Sequence, residues 1–103
     1  MPFELKEGEI LLEDVAVNLF RGAEAVGGRI RISDKRIIFE PHAFNLQTQT
    51  AEIPLNQIAL VQKRNTLGLM PNGILLQTNS GIQYKFVVWG RDRLISIIQR
   101  YIQ

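Results

Sequence analysis

A mainly β domain closed by one C-terminal α-helix is what this sequence predicts, on three observations. Apolar and polar residues alternate with period two through most of the chain, turn residues interrupt the alternation at short intervals, and only the last stretch changes to a helical period. At 103 residues the chain has the commonest size of one globular domain, so residues 1–103 read as a single domain. Its 46% hydrophobic and 21% charged residues suffice for a packed core and are unlike the balance of a disordered chain.

Residues 1–13 read as an acidic segment, 14–89 as strands and 91–102 as the helix. In Asp14–Arg21, Val15, Val17 and Leu19 share one face, and Arg21-Gly22 ends the strand. After Gly27-Gly28, the run Arg29-Ile30-Arg31-Ile32 can bury both isoleucines only if both arginines face out. Ser33-Asp34-Lys35 is a turn, and Arg36–Glu40 returns as a hairpin partner closed by Pro41. A longer connection from His42 to Gln49 carries Phe44 and Leu46. A short strand Thr50–Ile53 stops at Pro54, Leu55-Asn56-Gln57 reads as a turn, and Ile58–Lys63 as the next strand. Leu67–Gly73, punctuated by Gly and Pro, reads as a loop. The hairpin Ile74–Thr78 and Ile82–Val88 turns at Asn79-Ser80-Gly81, which makes about seven strands. Leu94, Ile97, Ile98 and Tyr101 then form an apolar helical stripe widened by Ile95 and Ile102, with Asp92 as the expected N-cap.

The chemistry of catalysis is not legible here. The chain has no cysteine, which excludes a disulfide framework and thiolate metal ligation. His42, the only histidine, reads as a loop residue beside Pro41. No P-loop, dinucleotide fingerprint or nucleophile elbow occurs, and Gly27-Gly28 lacks the following helix that a phosphate cradle needs. No catalytic residue, cofactor, metal or small-molecule substrate is therefore expected, and the chain reads as a non-enzyme. The N-terminus lacks a basic region leading into an apolar run, and no stretch reaches the roughly 20 apolar residues of a membrane span, so the expected compartment is the cytoplasm.

Charge is uneven. The first 14 residues carry a net −4 and the remainder +6, for a total of +2. The acidic segment either lies against the mildly basic body or is solvated; solvation is the expected state, as it is for the strand-end bases Lys35-Arg36 and Lys63-Arg64. Nucleic acid is a poor candidate partner, because Phe39, Tyr84 and Phe86 read as core rather than as aromatics interleaved with the bases.

The run Gly28–Phe39 resembles the strand–turn–strand signature of GRAM domains, in which a glycine begins one strand and a phenylalanine closes its partner. Ile53-Pro54-Leu55-Asn56-Gln57-Ile58 is similar to a further block of that family, and Ser80–Phe86 with Arg91-Asp92 to its closing hairpin and helix entry. The resemblance covers roughly residues 12–102. It implies a pleckstrin-homology-like fold: a partly open barrel of two nearly orthogonal antiparallel sheets capped by the C-terminal helix. It also implies a module that binds lipid or protein.

Two surfaces are candidate sites. Arg21, Arg29 and Arg31 resemble the basic arrangement with which some pleckstrin-homology domains hold inositol phosphates, and strand alternation would set Arg29 and Arg31 about 7 Å apart on one face. Glu24 would oppose a polyanion there, and the simpler reading is that Arg29 and Arg31 form the solvent face of a half-buried strand. Leu67, Leu69 and Met70 form a candidate apolar contact loop, unless they fold back on the domain. Trp89 reads as a packing anchor. The expected function is a non-catalytic adaptor that binds protein, including a second copy of itself through an exposed sheet edge. The alternative is a peripheral membrane module that takes anionic lipid on Arg21, Arg29 and Arg31.

Overall fold

Alternation in one strand decides which side of the sheet becomes the interior. In the computed structural model, which describes residues 4–22, 24–42, 49–66 and 70–102, Val26, Ile30 and Ile32 are buried while Arg29 faces out and Arg31 stays half-buried. They belong to β2 (Glu24–Ser33), which lies between β1 (Leu11–Arg21) and β3 (Arg36–Pro41). The chain continues through β4 (Ala51–Pro54), a short 3-10 turn at Leu55–Gln57, β5 (Ile58–Thr66), β6 (Met70–Thr78), β7 (Gln83–Val87) and α1 (Arg91–Tyr101). Seven strands and one C-terminal helix agree with the expected class.

All strand pairs are antiparallel, in the order β4-β3-β2-β1-β7-β6-β5. This is one continuous sheet rather than the two expected, and the reason lies in β1. It pairs with β2 from Leu11 to Arg21 but with β7 only at Asn18, Leu19 and Phe20. The two halves are thus joined along a short seam and part beyond it. Val17 and Leu19 from β1, Ile37 and Phe39 from β3, Ile74 and Leu76 from β6, and Phe86 from β7 fill the space between them. The Phe39 and Phe86 rings meet at 6.3 Å between centroids with a 55° tilt, within the range of favourable aromatic pairs.

Helix α1 covers the open end with Leu94, Ile95 and Ile98. Its apolar stripe is rotated from the expected one, because Tyr101 is exposed and Ile95 and Ile98 carry the contact. The N-cap is Gly90 in a left-handed conformation (φ 76°), so Asp92 lies inside the first turn. Arg91 holds the helix start against the sheet by donating to the carbonyls of Arg64 at 2.8 Å and Gly73 at 3.4 Å.

Several boundaries differ from the sequence reading, β5 among them, which runs on to Thr66 rather than ending at Lys63. β1 starts at Leu11, inside the acidic segment, and β2 starts at Glu24, so that Gly27 and Gly28 are strand residues. A Cβ at Gly28 would lie 2.3 Å from the Glu40 carbonyl oxygen; only glycine lets β3 approach so closely. β6 also starts early, so Met70–Gly73 is strand rather than loop. Pro71 is tolerated there because β7 reaches β6 only from Gly73 onward and the β5–β6 register shifts between Arg64 and Thr66.

The acidic segment is not merely solvated. Glu9 is 8% exposed and accepts two hydrogen bonds from Arg36, from Nε at 2.8 Å and Nη2 at 2.9 Å. The Ser33 hydroxyl adds a third at 2.5 Å, and Arg36 also donates to Glu52 and to the Glu4 carbonyl. Ile10 and Asp34 complete the stitch, the amide of Ile10 donating to the Asp34 carboxylate and that of Asp34 to the Ile10 carbonyl. Arg36 is therefore buried, contrary to the expectation for a strand-end base. Without Glu9 the buried guanidinium would keep only the half-exposed Glu52 as a carboxylate partner.

The Arg36 hydrogen bond, outweighing the opposing effect of burial, lowers the Glu9 carboxyl from 4.5 to about 2. A depressed carboxylate contributes stability above its ordinary value and loses it as pH falls through the folded one. Replacing Glu9→Gln is expected to cost about 3 kcal/mol at neutral pH, read from urea midpoints. The stability curves of parent and variant should converge as pH is lowered from 4.5 toward about 2; a gap independent of pH over that window would refute the clamp. Gly28→Ala is expected to destabilise by about 1–3 kcal/mol through overlap with the Glu40 carbonyl, and an unchanged melting temperature would show that β3 can give way.

Candidate functional site

The outward face of β1–β3 brings Arg29 and Arg31 together, but with carboxylates between them. Arg31 lies opposite Asp14 in register, and Arg29 opposite Ala16 and Glu40. Arg29 donates from Nε to Asp14 at 2.7 Å, and Arg31 donates to Asp14 at 3.3 Å and to Glu40. Burial pushes the Asp14 carboxyl up, yet the Arg29 hydrogen bond and the charges of Arg31 and Arg29 outweigh it and hold the group below its ordinary value. The Arg31 guanidinium is likewise held more firmly charged: burial opposes this, and Glu40 and Asp14 prevail. An incoming phosphate would meet two guanidinium groups already engaged by two carboxylates.

Arg21 does not join them. It shares the pleat of Val17 and Leu19, so it points to the side of the sheet opposite Arg29 and Arg31. Its guanidinium lies over the Phe39 ring at 5.6 Å and donates to the Gln49 carbonyl at 2.7 Å. The three arginines therefore do not converge on one ligand. Of the apolar loop, Leu67 and Leu69 lie outside the described residues, as do Phe44 and Leu46, and Met70 is the first residue of β6.

Trp89, expected as an anchor, is 77% exposed. The left-handed Gly90 that follows it turns the chain into α1, and the indole is left over a hollow of about 390 Å³ bordered by Asn18, Gly27, His42 and Val88. This hollow opens where β1 parts from β7. Among the described residues no group of three or more His, Asp or Glu side chains is placed to hold a metal ion, and no helix is long and apolar enough to cross a membrane.

The feature with the clearest capacity to bind is the end of the sheet. The two terminal strands are unlike. β4 has four residues and ends in Pro54, which blunts it as an edge. β5 has nine, and among the described residues no strand pairs with its outer side. Its residues Ala59 and Leu60 are exposed, while Val61 turns inward at 7% exposure. Between this edge and α1 lie two adjoining hollows of about 400 and 340 Å³, which share Val61 and Gln99. Lys63 and Asp92 form an ion pair of 3.1 Å at one of them, with both side chains largely exposed. No sequence signal marks Leu60 as exposed, and the nearest hint is the width of the α1 apolar stripe. Strand order, which makes β5 terminal, carries no local signal.

Comparison with solved structures agrees with this architecture. The C-terminal domain of an unknown protein from Leishmania infantum superposes with a TM-score of 0.78 at 18% identity, covering 94% of this chain and 88% of that one. The Vps36 N-terminal PH domain gives 0.74 at 20% identity, covering 96% and 83%. The N-terminal PH domain of human ARAP2 gives 0.70 at 14%, covering 87% and 77%. At these identities the likeness is one of fold, and that fold is pleckstrin-homology-like. The GRAM domain family model matches residues 1–103, the whole chain; this protein belongs to the GRAM domain family.

Proposed function

We propose that this chain is a non-catalytic binding module that recognises protein, and that the partner, another protein or a second copy of the chain, engages the outer edge of β5. The observation that carries the reading is the nine-residue terminal strand. An unpaired edge of that length presents a row of backbone donors and acceptors suited to an added strand. The alternative, anionic lipid on Arg29 and Arg31, is disfavoured by Asp14 and Glu40, which a phosphate would have to displace. We take the cytoplasm as the compartment, with its membrane face as the setting if lipid is the ligand.

Light scattering over the accessible concentration range tests the second copy. A mass that grows toward a dimer, and returns to monomer in Leu60→Lys, is expected if two copies pair through β5; a strictly monomeric mass rules that partner out. Sedimentation with anionic vesicles at low salt is expected to leave the chain in the supernatant. Recovery in the pellet that Arg29→Ala/Arg31→Ala abolishes would overturn the protein reading in favour of lipid.

A further inference from the structure

We infer that the trough between β5 and α1 takes an extended, acidic segment of a partner protein, laid along β5 as an added strand with apolar side chains entering beside Leu60, Val61 and Ile95. The inference rests on the reading of β5 as a protein-binding edge and adds the chemistry of what binds there.

Shape selects an extended chain. The two hollows share residues and so form one trough beside Ala59–Lys63, a run of about 13 Å at strand rise. Its floor is apolar at Val61 and Ile95, and Gln62, Ser96 and Gln99 offer amide and hydroxyl groups along the walls. A strand bound there would satisfy its backbone on the β5 edge and send alternate side chains to the floor. A bilayer surface would not reach that floor.

Charge selects an acidic one. Residues 1–54, which build β1–β4, hold six bases and nine acids, a net −3, whereas residues 55–103 hold six bases and Asp92 alone, a net +5. The trough lies wholly in the second group. Lys63 and Arg64 are exposed at the end of its strand wall and Arg100 lies on the helix beyond it. The lone acid Asp92 is paired with Lys63, and an ion pair between side chains so exposed is weak enough to be exchanged for a ligand carboxylate.

A second copy suits this trough less well. Its β5 would bring the same bases to the contact, and its acidic segment is tied to its own Arg36 through Glu9 and the Glu4 carbonyl. A partner protein with a free acidic segment meets neither obstacle.

The test follows backbone amide shifts of the full chain on titration with a short peptide that alternates valine and glutamate, and with its valine–lysine counterpart. The glutamate peptide is expected to shift amides from Ala59 to Lys63 and along α1, and to bind more weakly as salt is raised. Lys63→Glu/Arg64→Glu, with an otherwise unchanged amide spectrum, should weaken it at least about tenfold and let the lysine peptide bind. Equal binding of both peptides at those amides would overturn the acidic occupant and leave the β5 reading standing. No shift along β5 with either peptide would overturn both. The same amides moving with anionic vesicles, or on concentrating the chain alone, would overturn the partner protein in favour of a bilayer or a second copy.

Discussion

Three register pairs between β1 and β7, at Asn18, Leu19 and Phe20, hold this molecule together as one sheet. Every other pairing lies within one half or the other. Because β1 follows β2 for its full length and leaves β7 early, the halves diverge and the interior stays open at one end. Helix α1 is needed there to keep Leu76, Phe86 and their neighbours dry. Each fully buried Leu, Ile or Val contributes about 1.5–3 kcal/mol, so Leu94, Ile95 and Ile98 outweigh anything the intrinsic propensity of so short a helix supplies. Arg91 and the Arg93–Glu13 ion pair at 3.0 Å set its direction rather than its stability. The trough beside β5 is a by-product of this closure, since a helix that covers the core there must also run beside the terminal strand.

The same division separates two electrostatic regimes. In the β1–β4 half the acids are put to internal use: Glu9 and Glu52 on Arg36, Asp14 on Arg29 and Arg31, Glu40 on Arg31. Partly buried, hydrogen-bonded pairs of this kind fix geometry more than they add stability. In the β5–β7 half the bases have one acid among them. A field that is net negative over one half and net positive over the other favours encounter in one orientation.

Much of the fold was legible because periodicity is local. Ile30 and Ile32 against Arg29 and Arg31, and the turn at Asn79-Ser80-Gly81, announce themselves within a few residues. What failed was non-local. Glu9 and Arg36 lie 27 residues apart in sequence, and a charge run says nothing about which of its members finds a buried partner. Arg21, Arg29 and Arg31 share a charge but not a pleat, and the odd spacing between Arg21 and its partner Glu24 across the β1–β2 turn sends Arg21 to the core side. Pro71 in β6 was misread because proline excludes a strand only where both neighbours pair with it. The candidate trough was illegible for a related reason: it depends on β5 ending the sheet, which is a property of the order of all seven strands.

Trp89 has a consequence for how this protein can be observed. It is the only tryptophan in the chain, and it faces water in the folded state. Its emission will change little when the core melts, so a denaturation curve recorded by fluorescence would be nearly flat while circular dichroism moves. The indole reports instead on what comes to rest against the mouth of the β1–β7 parting, which makes it a poor gauge of folding and a ready-made optical sensor of surface contact at that one place.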